Sequence, residues 1–244
     1  LSGKNVTATV RQKENADSLS RNLGISVTTD NPSAVSNADL IMICVKPNSV
    51  AEVMREIQTE LASDKVLISI AASVTTRYIE DLAGVEIPVI RAMPNTPCSV
   101  GLGMTGICKG RYAEESHVNV TEAFFTPVGL TVAVDETHMD AVTGLSASGP
   151  AFIYVILEAL AEGGVKMGLS RKVATLLAAQ TVQGAARVVL ETGNHPALLK
   201  DEVTTPAGCT IDGILELEDG KLRATLIKAV VKAVERAKEL LLVD

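Results

Sequence analysis

The sequence has no tryptophan, and its aromatic residues are limited to three tyrosines and three phenylalanines. Proteins that hold single-stranded nucleic acid stack bases on aromatic side chains, so this composition disfavours that class. The formal net charge of −7 and the pI of about 5.1 also argue against a surface that binds polyanions. We therefore expect no nucleic-acid partner.

Closely spaced cysteines and long apolar runs are lacking as well. Cys44, Cys98, Cys108 and Cys209 lie far apart with no C-x-x-C pair, so we interpret them as reduced thiols rather than a disulfide framework or a metal site. No apolar run reaches ~18 residues without a charge or a helix-breaking residue, and no signal-peptide pattern opens the chain. These features predict a cytoplasmic protein with no membrane partner and no metal.

The first half of the 244 residues alternates short β-branched runs with helical segments. Fully apolar strands that alternate with helices are typical of a parallel sheet covered on both faces. We therefore predict the α/β class, with a Rossmann-like doubly wound parallel sheet. The predicted strands are 5–10, 38–45, 65–71, 88–94, 103–110 and 129–135, and the predicted helices are 13–24, 48–61, 75–84 and one near 113–125.

From about residue 136 the strands stop, and helices are predicted at 150–168, 170–193 and 221–242. Apart from a narrow polar stripe of Gln180, Gln183 and Arg187, the second of these is almost entirely apolar, so it must be buried. A helical half of this size cannot bury it alone, and we expect a partner subunit. We predict two domains, a nucleotide-binding domain over 1–135 and an all-α dimerisation domain over 136–244.

The carboxyl ends of the predicted strands, where doubly wound sheets bind ligands, carry suitable residues for a nucleotide. Arg11 follows the first strand, and a cation there favours a 2′-phosphate and hence NADP(H), although a solvated basic turn is an alternative. Pro47 frees Lys46 at the edge of the next strand. Small residues at 69–75 would admit a flat ring, and Asn95 lies in a stiff loop between two prolines.

One expected part is missing from its place. A Gly-rich G-x-G-x-x-G turn should follow the first strand of such a fold and hold the pyrophosphate, and no such motif follows residues 5–10. A cation at the strand end is typical of the second strand of these folds. We therefore expect that the chain lacks the first strand, the glycine loop and most of the first helix. The alternative is a sheet that never had this unit.

The stretch "VTTPAGCTIDG", residues 203–213, places small hydroxyl side chains and glycines between two helical runs. Consecutive backbone N–H groups in a Gly-containing turn at a helix start can hold a carboxylate without bulk. The hydroxyls of Thr205 and Thr210 can add donors. This pattern predicts a site for a small molecule that carries a carboxylate.

Four segments together resemble pyrroline-5-carboxylate reductase, and the resemblance runs through the chain. They are "DAVTGLSASGPAFIYVILEALAEGGVKMGLSR" (140–171), "HPALLKDEVTTPAGCTIDG" (195–213), "VKP" (45–47) and "RAMPNTP" (91–97). Ala147, Ala207 and Cys209 depart from the family pattern but stay small. The resemblance implies NADPH- or NADH-dependent reduction of Δ1-pyrroline-5-carboxylate to L-proline, the last step of proline synthesis. It also implies a homodimer with intertwined helical domains, often gathered into rings.

The resemblance further implies individual roles. Thr210 would contact the imine nitrogen, first as an orienting group and second as a proton donor, with Glu136 and Cys209 beside the substrate. The remaining expected substrate contacts are Asn95, Ser148, Thr205, Ala207 and Gly208. The expected cofactor contacts are Thr9, Arg11, Asn31, Cys44, Val45, Lys46, Pro47, Ala71, Ala72, Met93 and Asn95.

Rival interpretations come from other classes. A β-hydroxyacid dehydrogenase or another imine reductase would use a helical lysine as its acid, for which Lys166 and Lys172 are available. A non-catalytic NADP sensor would suit a missing glycine loop but would not need the 203–213 stretch. Ser148 in "SASGP" lacks the strand-to-helix context of a nucleophile, and we interpret the S-G-P sequence as a helix start.

Overall fold

The computed structural model describes residues 3–240, and the chain divides into two compact units. The first, the sheet unit, comprises Leu1–Ala147 together with Val234–Asp244, and the second, the helical unit, comprises Ser148–Ala233.

The described part of the sheet unit contains seven strands in two groups. Strands β1 and β2 pair in parallel with each other, and β3 to β7 form a five-stranded sheet in chain order. The strands are β1 (Thr7–Thr9), β2 (Ser26–Thr28), β3 (Leu40–Ile43), β4 (Val66–Ser69), β5 (Val89–Met93), β6 (Gly103–Lys109) and β7 (Gly129–Ala133).

Six α-helices connect or follow these strands, and short 3₁₀ turns precede or extend several of them. A π-helical turn, Thr143–Ala147, continues the last of them to the end of the unit. The helices are α1 (Lys13–Leu23), α2 (Asn31–Ser36), α3 (Val50–Ile57), α4 (Thr76–Ala83), α5 (Glu115–Phe125) and α6 (Met139–Val142).

Strands β4, β5 and β6 are buried on both faces, as the doubly wound prediction requires, whereas the edge strand β7 is partly exposed. Alternate residues along each strand point to opposite faces. On one face Ile41, Leu67 and Val89 pack against α3 and α4, and on the other Ile68 and Ile90 pack against α5. The segment 136–147 covers the first face beside Met93 and Cys108.

The sheet departs from all-parallel pairing at β6. Strands β3, β4 and β5 run parallel, whereas β6 pairs antiparallel with β5, and β7 runs parallel to β6. The reason is the short link of residues 94–102 between β5 and β6, since a parallel connection needs a crossover of about a dozen residues or more. The predicted Rossmann-like fold is confirmed, with these last two strands reversed.

The helical unit buries very little apolar surface within one chain. Helices α7 and α8 pack together through Ala161 of the first and Ala174 and Ala178 of the second, and Gly164 allows a close approach to Ala174. Most large apolar side chains are exposed, for example Leu176 at 67% and Val155 at 67%. The helices are α7 (Gly149–Lys166), α8 (Arg171–Thr192), α9 (Pro196–Val203), α10 (Cys209–Asp219) and α11 (Leu222–Glu239), whose last residues belong to the sheet unit.

Two helical stretches, Glu136–Lys166 and Arg171–Thr192, are long and apolar enough to cross a membrane by length and composition, and 11% of the most apolar 18-residue segment of each is buried in the chain. This test does not support the prediction that the chain holds no such helix. It is weak evidence for a membrane, however, because core helices of soluble proteins pass it too.

Most predicted elements are present with shifts of a few residues at their ends. The sequence interpretation did not identify β2, α2, or α6 with its π-turn as elements, whereas the helical run before residue 203 is confirmed as α9. The last helix ends at Glu239, and residues 241–242 of its predicted range lie outside the described part of the chain.

Candidate functional site

The carboxyl ends of β3, β4 and β5 lie at one edge of the sheet because these strands are parallel. The residues of the predicted cofactor site follow these ends directly. Cys44, Val45, Lys46 and Pro47 come after β3, and Lys46 precedes a 3₁₀ turn that begins at Pro47. Ala71 and Ala72 come just after β4. The structure therefore brings these two segments together.

Helix α3 holds two of the predicted polar cofactor residues. Arg11 Nη2 lies 3.1 Å from Glu52 Oε2, and Asn31 Nδ2 donates to Glu56 Oε2 at 2.6 Å. Glu52 and Glu56 are one helical turn apart, so they share a face of α3. Thr9 ends β1, two residues before Arg11. Arg11 and Asn31 are therefore both held against α3, the helix that begins shortly after Lys46, with Asn31 toward its far end.

The other two predicted cofactor residues are more enclosed. Met93 is 5% exposed and packs with Cys108 and Met139. Asn95 accepts a hydrogen bond from Met104 N at 2.9 Å and donates to Ser146 O at 3.2 Å. In the sheet unit, therefore, Asn95 ties the β5–β6 link to the π-turn.

The pattern G-x-G-x-x-G does occur in the chain, at residues 101–106. Gly101 adopts φ +73°, and Gly103 and Gly106 lie in β6. A side chain at Gly103 would collide with Cys98 Sγ, and one at Gly106 with Val142. Gly103 and Gly106 serve close packing in the strand and Gly101 serves the left-handed turn before it, so the three do not form a strand-to-helix phosphate turn.

Glu136 contacts the start of α4. Its Oε1 accepts a hydrogen bond from Thr76 N at 2.7 Å, and its Oε2 accepts one from Thr76 Oγ1 at 2.6 Å. A carboxylate is stabilised at a helix N-terminus by the exposed N–H groups and the helix dipole. Glu136 also lines a cavity of about 1000 Å³ beside α4, with Glu80, Lys109 and Tyr112 among its other walls.

The predicted substrate loop lies in the helical unit and has the expected backbone. Gly208 takes the N-cap position of α10 with no side-chain cap, so the first N–H groups of this helix have no intrahelical acceptor. Gly208 N donates to Thr205 O at 3.1 Å, and a side chain at Gly208 would collide with Thr205 Oγ1. Ala207 adopts φ +56°, a left-handed conformation that normally favours glycine.

Cys209 and Thr210 are the first two residues of α10, so the structure places Thr205, Ala207, Gly208, Cys209 and Thr210 in a single tight turn.

The remaining candidates are placed without special contacts. Ser148 precedes α7 and makes no capping hydrogen bond through its side chain. Lys166 and Lys172, the candidate acids of the rival interpretation, are both exposed. Within residues 3–240, no group of three or more His, Cys, Asp or Glu side chains is placed to hold a metal ion.

The fold and the two sets of residues define a class, a Rossmann-like oxidoreductase with a helical dimerisation domain. Residues 1–73 match the family described as "NADP oxidoreductase coenzyme F420-dependent", and residues 136–240 match "Pyrroline-5-carboxylate reductase dimerisation". The chain belongs to the pyrroline-5-carboxylate reductase family. It is 46% identical to the Methanosarcina acetivorans enzyme, covering 91% of this chain and 82% of the relative, and 41% identical to that of Arabidopsis thaliana, covering 96% and 85%.

Solved structures of the family agree with this assignment. The Coxiella burnetii pyrroline-5-carboxylate reductase superposes with a TM-score of 0.91 at 38% identity, over 98% of this chain and 89% of the other. The Plasmodium falciparum pyrroline carboxylate reductase with NADP bound superposes with a TM-score of 0.87 at 30% identity, over 98% and 88%.

Proposed function

We propose that this chain reduces Δ1-pyrroline-5-carboxylate to L-proline with NADPH, the last step of proline biosynthesis. The observation that supports the proposal most directly is the turn at residues 204–210, which leads into a helix that has no side-chain cap. This turn lies within residues 136–240, the segment that matches the dimerisation family. The substrate is a small ring with one carboxylate and one imine. A turn with free N–H groups and small side chains suits that carboxylate.

The cofactor supplies the hydride, and the chain's own residues bind and orient. The segments Cys44–Pro47 and Ala71–Ala72 would hold the nicotinamide nucleotide at the carboxyl edge of the sheet, and the backbone of residues 207–210 would hold the substrate carboxylate. Thr210 would fix the imine nitrogen by its hydroxyl. Because the imine is basic enough to arrive protonated, Thr210 acts first as an orienting group and only second as a proton donor.

Arg11 supports a preference for NADPH over NADH. Its present partner, Glu52, forms an exposed ion pair, and such pairs contribute little and exchange readily for a better anion. A 2′-phosphate would be such an anion. We expect Arg11→Ala to lower the NADPH-to-NADH ratio of kcat/KM by about tenfold, the effect of losing one charge-assisted contact.

The exposed apolar surface of α7 and α8 supports a homodimer through the helical unit, and we propose further assembly into a ring of dimers in the cytoplasm without membrane insertion. We also propose the functional division at residues 135 and 136, where the dimerisation match begins, although the compact sheet unit continues to Ala147. Sedimentation or light scattering of the purified protein measures the oligomer directly, and its solubility without detergent tests the absence of a membrane.

The deciding experiment is oxidation of NADPH by the wild-type protein with Δ1-pyrroline-5-carboxylate, followed by absorbance. We expect rapid oxidation that depends on the imine. Thr210→Ala should lower kcat/KM by about 10²-fold, whereas Thr210→Ser, which keeps the hydroxyl, should stay within about tenfold. Full turnover by Thr210→Ala would remove both roles from Thr210, and no oxidation by the wild type would refute the proposed reaction.

A further inference from the structure

A buried cation lies in the middle of the sheet. Arg91 is the third residue of β5, the central strand of the five, and is 1% exposed. Its side chain lies on the face that α4 and the segment 136–147 cover, since residues two apart on a strand share a face and Val89 and Met93 point there. A guanidinium taken out of water is costly unless it is paired, so its place here needs a reason.

Two carboxylates face this guanidinium at longer than hydrogen-bond distance. Arg91 Nη1 lies 3.7 Å from Glu136 Oε1, and Nη2 lies 3.6 Å from Asp140 Oδ1. Within residues 3–240, Arg91 Nε and Nη2 and Asp140 Oδ1 have no hydrogen-bond partner. A buried ion pair whose polar atoms lack hydrogen-bond partners contributes little to stability. The free energy needed to desolvate the two charges exceeds their attraction at these distances.

The carboxylate of Glu136 connects Arg91 to the start of α4. Both of its oxygens accept hydrogen bonds from Thr76, the first residue of that helix. The connection before Thr76 leads back to β4 through Ala71 and Ala72. It contains Ser73, which is buried, adopts φ +61° and donates to Ala237 O at 2.9 Å. This strained connection keeps its shape only if both of its ends are held.

We propose that Arg91 is a positioning residue for the cofactor, because its guanidinium lies against the Glu136 carboxylate that accepts both hydrogen bonds from Thr76 and thereby fixes the connection 70–75. This inference rests on the proposed function, in which Ala71 and Ala72 line the nicotinamide. It assigns Glu136 to the support of this connection, through contacts that lie wholly within the sheet unit.

The test separates cofactor binding from chemistry. Arg91→Met should raise KM for NADPH by about tenfold, leave KM for the imine within about twofold, and change kcat at saturating NADPH by less than about threefold. Arg91→Lys, which keeps the charge, should recover part of the loss. Arg77→Met is the matched control, since Arg77 is the next residue after Thr76 on α4 but is exposed and forms a surface ion pair with Asp81.

A double-variant cycle tests the route through Glu136. If Arg91 acts through that carboxylate, Arg91→Met combined with Glu136→Gln should raise KM for NADPH no more than the larger of the two single changes. Should Arg91→Met fail to fold, Thr76→Val decides the matter, because it removes one bond to Glu136 and leaves all three charges in place. We expect it to raise KM for NADPH by about threefold.

An unchanged KM for NADPH in folded Arg91→Met or Thr76→Val would overturn the inference, and so would additive effects in the double variant. Failure of the proposed function looks different, because the wild-type protein itself would then not oxidise NADPH with the imine.

Discussion

The two units of this chain bury their apolar residues to very different extents. In the sheet unit, Leu67, Ile68 and Ile90 are completely buried, whereas in the helical unit the buried hydrophobic residues are three alanines, Ala161, Ala174 and Ala178. The hydrophobic effect stabilises a fold roughly in proportion to the apolar area that is removed from water. The sheet unit therefore has its core within one chain, whereas the helical unit, which matches the dimerisation family, has almost no core of its own.

The largest expected effect comes from breaking the helical unit's apolar surface. Leu176→Glu, on the exposed face of α8, should convert the oligomer to monomers and abolish turnover. The substitution removes the stabilisation from burying a leucine side chain, about 1.5–3 kcal/mol, and places an unpaired charge in the interface. In a symmetric dimer both effects occur once in each subunit. Size-exclusion chromatography with light scattering measures the oligomer, and circular dichroism the helix content.

Leu23→Glu is the matched control, because Leu23 is 60% exposed in the sheet unit and Leu176 is 67% exposed in the helical unit. We expect Leu23→Glu to leave the oligomer intact. An oligomer that survives Leu176→Glu would show that this face of α8 is not the contact between subunits.

A smaller effect is expected from a cavity in the sheet unit. Leu67→Ala should lower the free energy of unfolding by about 2–5 kcal/mol, since the Leu67 side chain on β4 is fully buried against the helices that cover its face of the sheet. Leu23→Ala should change it by less than about 0.5 kcal/mol. Urea unfolding measures both. Equal losses in the two variants would contradict the contrast between core and surface.

The left-handed residues offer a finer comparison. Ser73 in the sheet unit is buried and anchored by a hydrogen bond, whereas Ala207 and Lys221 in the helical unit are exposed in turns. Ala207→Gly and Lys221→Gly should each stabilise the protein by about 0.5–1 kcal/mol, because they relieve left-handed strain of about 1–2 kcal/mol while making the unfolded chain more flexible. Thermal unfolding measures the gain.

These two variants should differ in kinetics. Only Ala207 lies in the proposed substrate loop, so only Ala207→Gly should change KM for the imine, while Lys221→Gly serves as the control with equal relief of strain. A change in KM with Lys221→Gly would mean that strain relief anywhere in the helical unit alters binding.

Local sequence patterns predicted most of the helices and strands, but they could not predict contacts between residues that are far apart in the chain. Apolar periodicity located β4, β5 and α8 within a few residues, since burial dictates that pattern. The contact of Glu136 with Thr76 joins residues 60 positions apart, and no local pattern carries it. Arg91 could not be distinguished from the other residues of "RAMPNTP" in the sequence. The desolvation cost of its guanidinium and its carboxylate partners become visible only once the sheet is assembled.

The short strand β2 and the four-residue helix α6 were missed for a related reason. Each is too short for a period to emerge, and tertiary packing rather than propensity forms it. The reversal of β6 was predictable in principle from the length of the link before it.

The last comparison concerns the reactivity of cysteine thiols toward alkylation rather than stability. It sets Cys108 of the sheet unit against Cys209 of the helical unit. Burial, with a further contribution from the Glu136 carboxylate, raises the pKa of the Cys108 thiol to about 12, and Cys108 is 3% exposed. Since alkylation requires the thiolate, about 10⁻⁴ of this thiol would be reactive at pH 8. Cys209 is exposed at the start of α10, and Cys44 is exposed as a residue although burial raises the pKa of its thiol.

We therefore expect iodoacetamide at pH 8 to label Cys209 first, Cys44 more slowly, and Cys108 only after denaturation, as followed by peptide mass spectrometry. L-proline should slow the labelling of Cys209 but not that of Cys44, because the proposed substrate loop would be occupied. Cys209→Ser should remove the fastest phase and leave the others unchanged. Rapid labelling of Cys108 in the folded protein would mean that the first face of the sheet opens to solvent. The sheet unit would then share the incomplete packing of the helical unit.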